Sequence, residues 1–179
     1  HAMVIEGNWI ARCATQRSPS VRDVGAALQL HGNRHKVTNN HIERCSKGVL
    51  LQAEGTTNPS SSDSVFERNT LLGMEENGVE YQELKNAAGG FGVIRNNQWS
   101  RNILDGAGLD LLSLWFTNPA GNGPSNKFVS SQIVRGRIRG SLGTFGTVEE
   151  AARANPSVYQ NCSSNPVPGA GSSLTAPPV

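Results

Sequence analysis

Lys36-Val37-Thr38-Asn39-Asn40-His41-Ile42 places one apolar side chain three residues before an asparagine and another two residues after it. The same arrangement returns in Val4-Ile5-Glu6-Gly7-Asn8-Trp9-Ile10, in Val65-Phe66-Glu67-Arg68-Asn69-Thr70-Leu71 and in Val93-Ile94-Arg95-Asn96-Asn97-Gln98-Trp99. A fifth copy, Lys127-Phe128-Val129-Ser130-Ser131-Gln132-Ile133, keeps the apolar positions and has serine in place of asparagine. Counted this way, the asparagines are 32, 29 and 28 residues apart and Ser131 follows 34 later. Self-similarity at a nearly fixed period marks a stacked architecture.

Each copy is too short and too rich in Gly, Asn and Ser to be a helix pair, and its apolar residues alternate as in strands. A second run opens on glycine in each unit: Gly48-Val49-Leu50-Leu51-Gln52, Gly78-Val79-Glu80-Tyr81-Gln82 and Gly108-Leu109-Asp110-Leu111-Leu112, with Gly25-Ala26-Ala27-Leu28-Gln29 as the first-coil equivalent. One unit therefore reads as strand, asparagine turn, strand, loop. Stacking such units buries a column of aliphatic side chains and pairs the backbone from coil to coil. Asparagine amides at matching turns can hydrogen-bond along the same axis.

These Val-x-x-Asn-x-Ile repeats and Gly-Val runs, over roughly residues 3 to 138, resemble the right-handed parallel β-helix superfamily of pectate-lyase-like proteins. The resemblance implies an all-β fold, a right-handed parallel β-helix of about five coils, ending in a short helix and an extended tail. It also implies a glycan as partner, since the superfamily holds polysaccharide lyases, hydrolases, epimerases and phage tailspikes. Architecture alone does not assign a reaction. The paired-aspartate motif of polygalacturonase-like hydrolases and the Asp-Pro-His signature of alginate epimerases are absent.

The 179 residues fit one domain, with coils over 1–140 and a cap helix and tail over 141–179. A formal net charge of +2 gives no bulk electrostatic case for nucleic acid. No apolar run reaches membrane-spanning length. No cofactor or metal is expected, because no Cys/His or acidic cluster has ligand spacing. The first repeat begins at once, without the cap that a solenoid end needs, which suggests an upstream β-helix segment or a homo-oligomer as a further partner. An extracellular location, secreted or at a cell surface, follows from the resemblance.

Cys13 and Cys45 each lie five residues after their asparagine and should stack, with Met74 next in that column; a disulfide between coils remains open at this stage, and Cys162 falls in the tail. Thr147-Val148-Glu149-Glu150 has the capping-box pattern of a helix start, and Asn155-Pro156 stops that helix. Beyond Ser163 the Pro, Gly, Ser and Ala content reads as an extended or disordered tail.

Function must lie on the outside of the coils. Four residues after the repeat asparagine or serine stand Arg12, Arg44, Gly73, Arg101 and Arg135, an expected arginine ladder. It is either neutralised by acids such as Glu43, Glu75 or Asp105 or used to grip an anionic polymer. Alternation turns Glu80 and Asp110 outward, and matched coils would set these carboxylates about 5 Å apart, the separation of a retaining glycosidase pair. They are the expected catalytic acid and base. Asp105 is expected in a turn. His41, level with Trp9, Thr70 and Gln98, is a candidate base or sugar contact. Trp9 and the Trp115-Phe116 pair are candidate stacking platforms, and Trp99 is expected in the core. The loops at 56–63, 85–91 and 117–126 leave successive coils and could wall a groove. The expected function is a carbohydrate-active enzyme (lyase, hydrolase or transglycosidase); the alternative is a non-catalytic adhesin or structural β-helix.

Overall fold

A computed structural model describes residues 2–13, 26–55, 59–85, 87–106 and 110–174. Expectations resting on Gly25, Gly108, Leu109, the start of the 56–63 loop and the last tail residues fall outside these. The chain is a parallel β-solenoid of about five turns. Coil one contributes β1 (Val4–Glu6), β2 (Trp9–Ala11) and β3 (Ala26–Leu30). Coil two contributes β4 (Lys36–Thr38), β5 (His41–Glu43) and β6 (Lys47–Glu54), and coil three β7 (Val65–Glu67), β8 (Thr70–Met74) and β9 (Asn77–Leu84). Coil four is β10 (Gln98–Ser100), β11 (Ile103–Gly106) and β12 (Asp110–Trp115). A short helix α1 (Pro119–Asn122) leads to coil five, which is β13 (Lys127–Val129), β14 (Gln132–Val134) and β15 (Arg137–Gly140).

Three sheets run the length of the stack. Sheet A orders β1-β4-β7-β10-β13, sheet B orders β2-β5-β8-β11-β14, and sheet C orders β3-β6-β9-β12-β15. At the far end β16 (Gly143–Phe145) pairs antiparallel to β15, α2 (Val148–Ala154) packs beside it, and β17 (Tyr159–Gln160) adds a parallel strand to sheet A. The helix starts where expected, with Thr147 Oγ1 accepting from the Glu150 amide at 3.3 Å, while Glu150 Oε2 reaches back one residue beyond the N-cap and accepts from the Gly146 amide at 2.9 Å. Val148 and Ala151 are the buried face of α2.

Inward residues stack on their own kind because parallel register puts equivalent side chains one above another. Sheet A supplies an aromatic column, with Phe66 and Trp99 rings 4.0 Å apart and nearly parallel, continued by Phe128 and Tyr159. Trp99 is fully buried, as expected, and donates Nε1–H to the Tyr81 hydroxyl at 2.8 Å. Sheet B supplies Ile42, Leu71, Leu104 and Ile133 to the same core.

The corners solve a hydrogen-bonding problem. Between sheets A and B the chain turns through one left-handed residue per coil: Gly7, Asn39, Arg68, Arg101 and Ser130 all have φ between +46° and +68°. The next residue's amide then points away from the strand ladder and is caught by a side chain of the coil below. Asn8 bonds Asn40, Asn40 bonds Asn69, Asn69 bonds Asn102, and the Asn102 amide bonds Ser131 Oγ, at 2.8–3.1 Å. These residues are 32, 29, 33 and 29 apart, so the fourth member of the ladder is Asn102 and not Asn97. Asn97 belongs to the preceding corner, where it accepts from the Ser64 amide and donates to Asn126. Trp99 both follows Asn97 and precedes Asn102, so the same motif fits two corners of one coil.

Cys13 and Cys45 stack as expected, with the Cys13 amide donating to Cys45 Sγ at 3.2 Å, and Met74 is buried in the following coil. All three cysteines are free thiols. Burial pushes the Cys45 thiol up to about 12 and Cys162 up to about 11.

Candidate functional site

The outer face of sheet C holds a connected polar network. Gln29 donates to Gln52 Oε1 at 3.0 Å, Gln52 to Gln82 Oε1 at 3.2 Å, and Gln82 to Glu80 Oε1 at 2.8 Å. Glu80 Oε2 accepts from Asn77 at 3.1 Å and faces Lys47 Nζ at 2.7 Å. Gln52 and Gln82 are in register, so their amides meet about a strand spacing apart, whereas Gln29 is in register with Leu50 and its side chain reaches two positions along the sheet to Gln52. Glu80 is only 9 % exposed, and both its oxygens are engaged.

Asp110 does not stand beside it. The residue in register with Glu80 on β12 is Ser113, three positions beyond Asp110 and, with the bulge between Asp110 and Leu112, roughly 7 Å from it along the strand. The expected pair of adjacent carboxylates is therefore not assembled. The reason lies in Leu111. It fills the space between glycines of the two neighbouring coils: a Cβ on Gly78 would lie 2.5 Å from Leu111 Cδ1, and one on Gly136 would lie 2.3 Å from Leu111 Cβ. Leu111 thus takes the level of the strand-opening glycines, which leaves Asp110 one residue before that level and out of register with Glu80. The bulge that follows between Asp110 and Leu112 lets Asp110 pair with Arg137. Asp110 Oδ1 accepts from Arg137 Nε at 2.6 Å, and Oδ2 lies 3.6 Å from Arg139.

The expected arginine ladder divides between two corners. Arg12, Arg44 and Arg135 follow β2, β5 and β14 on the sheet B–C corner, with φ of +56°, +52° and +49°. Arg101 follows β10 on the sheet A–B corner beneath Arg68. Both columns demand the left-handed conformation, which costs a non-glycine residue roughly 1 kcal/mol. Arg135 forks onto Asp105 with two contacts of 2.6 Å, which raises its pKa, and Arg101 lies 3.9 Å from Glu67. Asp105, expected in a turn, lies inside β11.

His41 and Trp9 are neighbours on sheet B, stacked with ring centroids 3.8 Å apart and 7° between planes. His41 is buried by this contact, and Nε2 stands 3.5 Å from Glu43 Oε2. Its row runs Trp9, His41, Thr70, Ile103; Gln98, expected level with it, lies on sheet A. Phe91 in the 85–91 loop is exposed, and so is Trp115. Its ring is 45 % exposed, sits in register with Gln82, donates to Ser113 Oγ at 3.1 Å and carries Arg139 at 5.6 Å from its centroid. Phe116 turns inward, edge-on to Tyr81.

Glu83 was not singled out in the sequence, and it organises the loops beyond sheet C. Its carboxylate accepts from the Ile94 amide and Asn122 Nδ2 at 2.8 Å and from the Thr117 amide at 2.6 Å. Arg137 and Arg139 were also missed. Their alternation with buried Ile138 was the available signal, since period two turns both outward. Comparison with protein-family models, with curated proteins and with solved structures returns no match for this chain.

Proposed function

We propose that this chain is a glycan-binding β-solenoid, similar in kind to the pectate-lyase-like parallel β-helices, that lays a polysaccharide across the outer face of sheet C. The observation that carries the reading is Trp115. A tryptophan left 45 % exposed on a strand, with its edge fixed by Ser113 and Arg139 packed on the ring, is a rigid platform for the apolar face of a sugar. Gln82 on the preceding coil, Asp110 on the same strand, and Arg137 and Arg139 on the following coil offer donors and acceptors to sugar hydroxyls. An extracellular or cell-surface setting suits such a ligand. With Glu80 locked to Lys47 and three residues away from Asp110, binding is better supported than cleavage by that pair.

The test is affinity electrophoresis of the protein through gels containing neutral or anionic polysaccharides, with unsaturated products and reducing ends measured in parallel. Retardation by at least one polymer, weakened at least tenfold in Trp115→Ala, supports the reading. Cleavage products would make the protein a carbohydrate-active enzyme, lyase if unsaturated and hydrolase if only reducing ends appear. A folded protein that no polymer retards overturns the proposal in favour of a structural β-helix.

A further inference from the structure

The outer row of sheet A brings Glu6, Thr38 and Glu67 into register, so two carboxylates flank one hydroxyl. The tail forms a wall opposite them. After Ser163 bridges to Gln132, the chain turns back along the stack and passes the fourth, third and second coils. The Gly171 amide donates to the Arg101 carbonyl at 2.7 Å, the Ser172 amide to Thr70 Oγ1 at 2.8 Å, and the Ser173 amide and hydroxyl to Asn39 Oδ1 at 2.7 and 3.0 Å. A side chain at Gly171 would strike Ile103 and Thr70, its Cβ falling 2.6 and 2.9 Å from them, and φ there is +89°. Glycine lets this strap lie flat.

Between strap and sheet is a cleft of about 620 Å³ with Lys36 and Arg68 as its other charged walls. A smaller depression of about 320 Å³, sharing Glu67 with it, runs along sheet A to Arg101 and Ser130. Two hydroxyls in residues lining the cleft, Thr38 Oγ1 and Ser172 Oγ, are buried without a hydrogen-bond partner, and Thr38 as a whole is only 8 % exposed. An orphaned buried hydroxyl is costly, and two at one cleft point to an occupant that would satisfy them.

We propose that this cleft is a binding site for a short neutral oligosaccharide, distinct from the Trp115 face. The charges decide the class. Glu6 and Glu67 are offset by Lys36 and Arg68, so the site has no net attraction for an anion or a cation. Carboxylates accept from sugar hydroxyls, while the ammonium, guanidinium and threonine hydroxyl donate to them. Ala170 is the sole apolar side chain among the described lining residues, which disfavours a hydrophobic ligand. The volume falls within the usual range of small-molecule sites, and the depression toward Arg101 gives it the length of a chain of sugars.

Isothermal titration with maltotriose, cellotriose and N-acetylchitotriose tests the site. Saturable binding of at least one is expected. Thr38→Val keeps the shape of the side chain and removes the orphaned hydroxyl, so it should weaken that binding at least tenfold while Tm stays equal or rises. Gly171→Val, which unseats the strap, should weaken it as well. Absence of saturable binding by all three sugars overturns the proposal, and so does wild-type affinity in Thr38→Val. Polysaccharide retardation reads the sheet C face in a separate experiment, so the two sites stand or fall independently.

Discussion

The Asn69 side-chain oxygen receives both the backbone amide of Asn40 at 3.0 Å and its Nδ2 at 2.9 Å, while Asn69 Nδ2 reaches back to the Val37 carbonyl at 2.9 Å. One amide group therefore serves three buried backbone or side-chain groups on the coil above. Asn69→Ala should destabilise the protein by about 3 kcal/mol, because it strands buried donors and a carbonyl that water cannot reach. Asn69→Ser should cost less, since Ser131 fills the same role in coil five by accepting from the Asn102 amide. Urea denaturation checks both, with a lower midpoint and an unchanged slope expected.

Two glycines separate steric from conformational demand. A Cβ on Gly48 would lie 2.4 Å from the Gly78 carbonyl oxygen and 2.7 Å from Leu71 Cδ2. Gly48→Ala should cost about 3 kcal/mol, since the backbone contact cannot relax without parting the coils. Gly73 has open space around it but φ of +63°. Gly73→Ala should cost only about 1 kcal/mol, the left-handed penalty that its arginine neighbours already bear. Equal losses of Tm in the two variants would contradict this division.

The Tyr81 hydroxyl matters for what it accepts. Burial raises its pKa, with the Trp99 donor opposing that shift in part. Tyr81→Phe leaves the Trp99 Nε1–H buried and unpaired, at a cost of about 1–3 kcal/mol. Chemical denaturation measures the loss. Near-ultraviolet circular dichroism should show the Trp99 band perturbed while the far-ultraviolet spectrum is kept.

Glu149 ties the strap to the cap helix. Its Oε1 accepts from the Ser164 amide at 2.7 Å and hydroxyl at 2.9 Å, and the amide bond chiefly lowers its pKa. A carboxyl depressed in the folded state stabilises above its unfolded pKa of about 4.5, and that contribution is lost as pH falls through the lower folded value. The Tm difference between wild type and Glu149→Gln should thus be largest near neutrality and shrink as pH falls below about 4.5. A difference that stays constant down to pH ~3 would show that the carboxylate's charge is irrelevant to the anchor.

The repeat could be read in advance because a stacked coil imposes the same chemistry at every level. Asn8, Asn40 and Asn69 declared the ladder, and the buried partners Val37, Ile42, Phe66 and Leu71 declared its two flanking sheets. The cap helix was legible too, because capping boxes are local. Asn97 misled for a physical reason: two corners of the same coil orphan an amide in the same way and recruit the same residue, so the motif repeats within a turn as well as between turns. That slip carried Arg101 into the wrong column and put Gln98 beside His41.

The sequence by itself thus determined a parallel solenoid of about five coils, since period and side-chain alternation are local properties of a chain that stacks on itself. What faces what across coils was decided by the tertiary structure. Leu111 filling a space left by glycines moved Asp110 away from Glu80, and a strap of glycine and serine without periodicity closed a cleft over Thr38. Register depends on which bulky side chain fits above which small one, and strap placement on which backbone groups remain to be paired. Neither is written in the spacing of any motif.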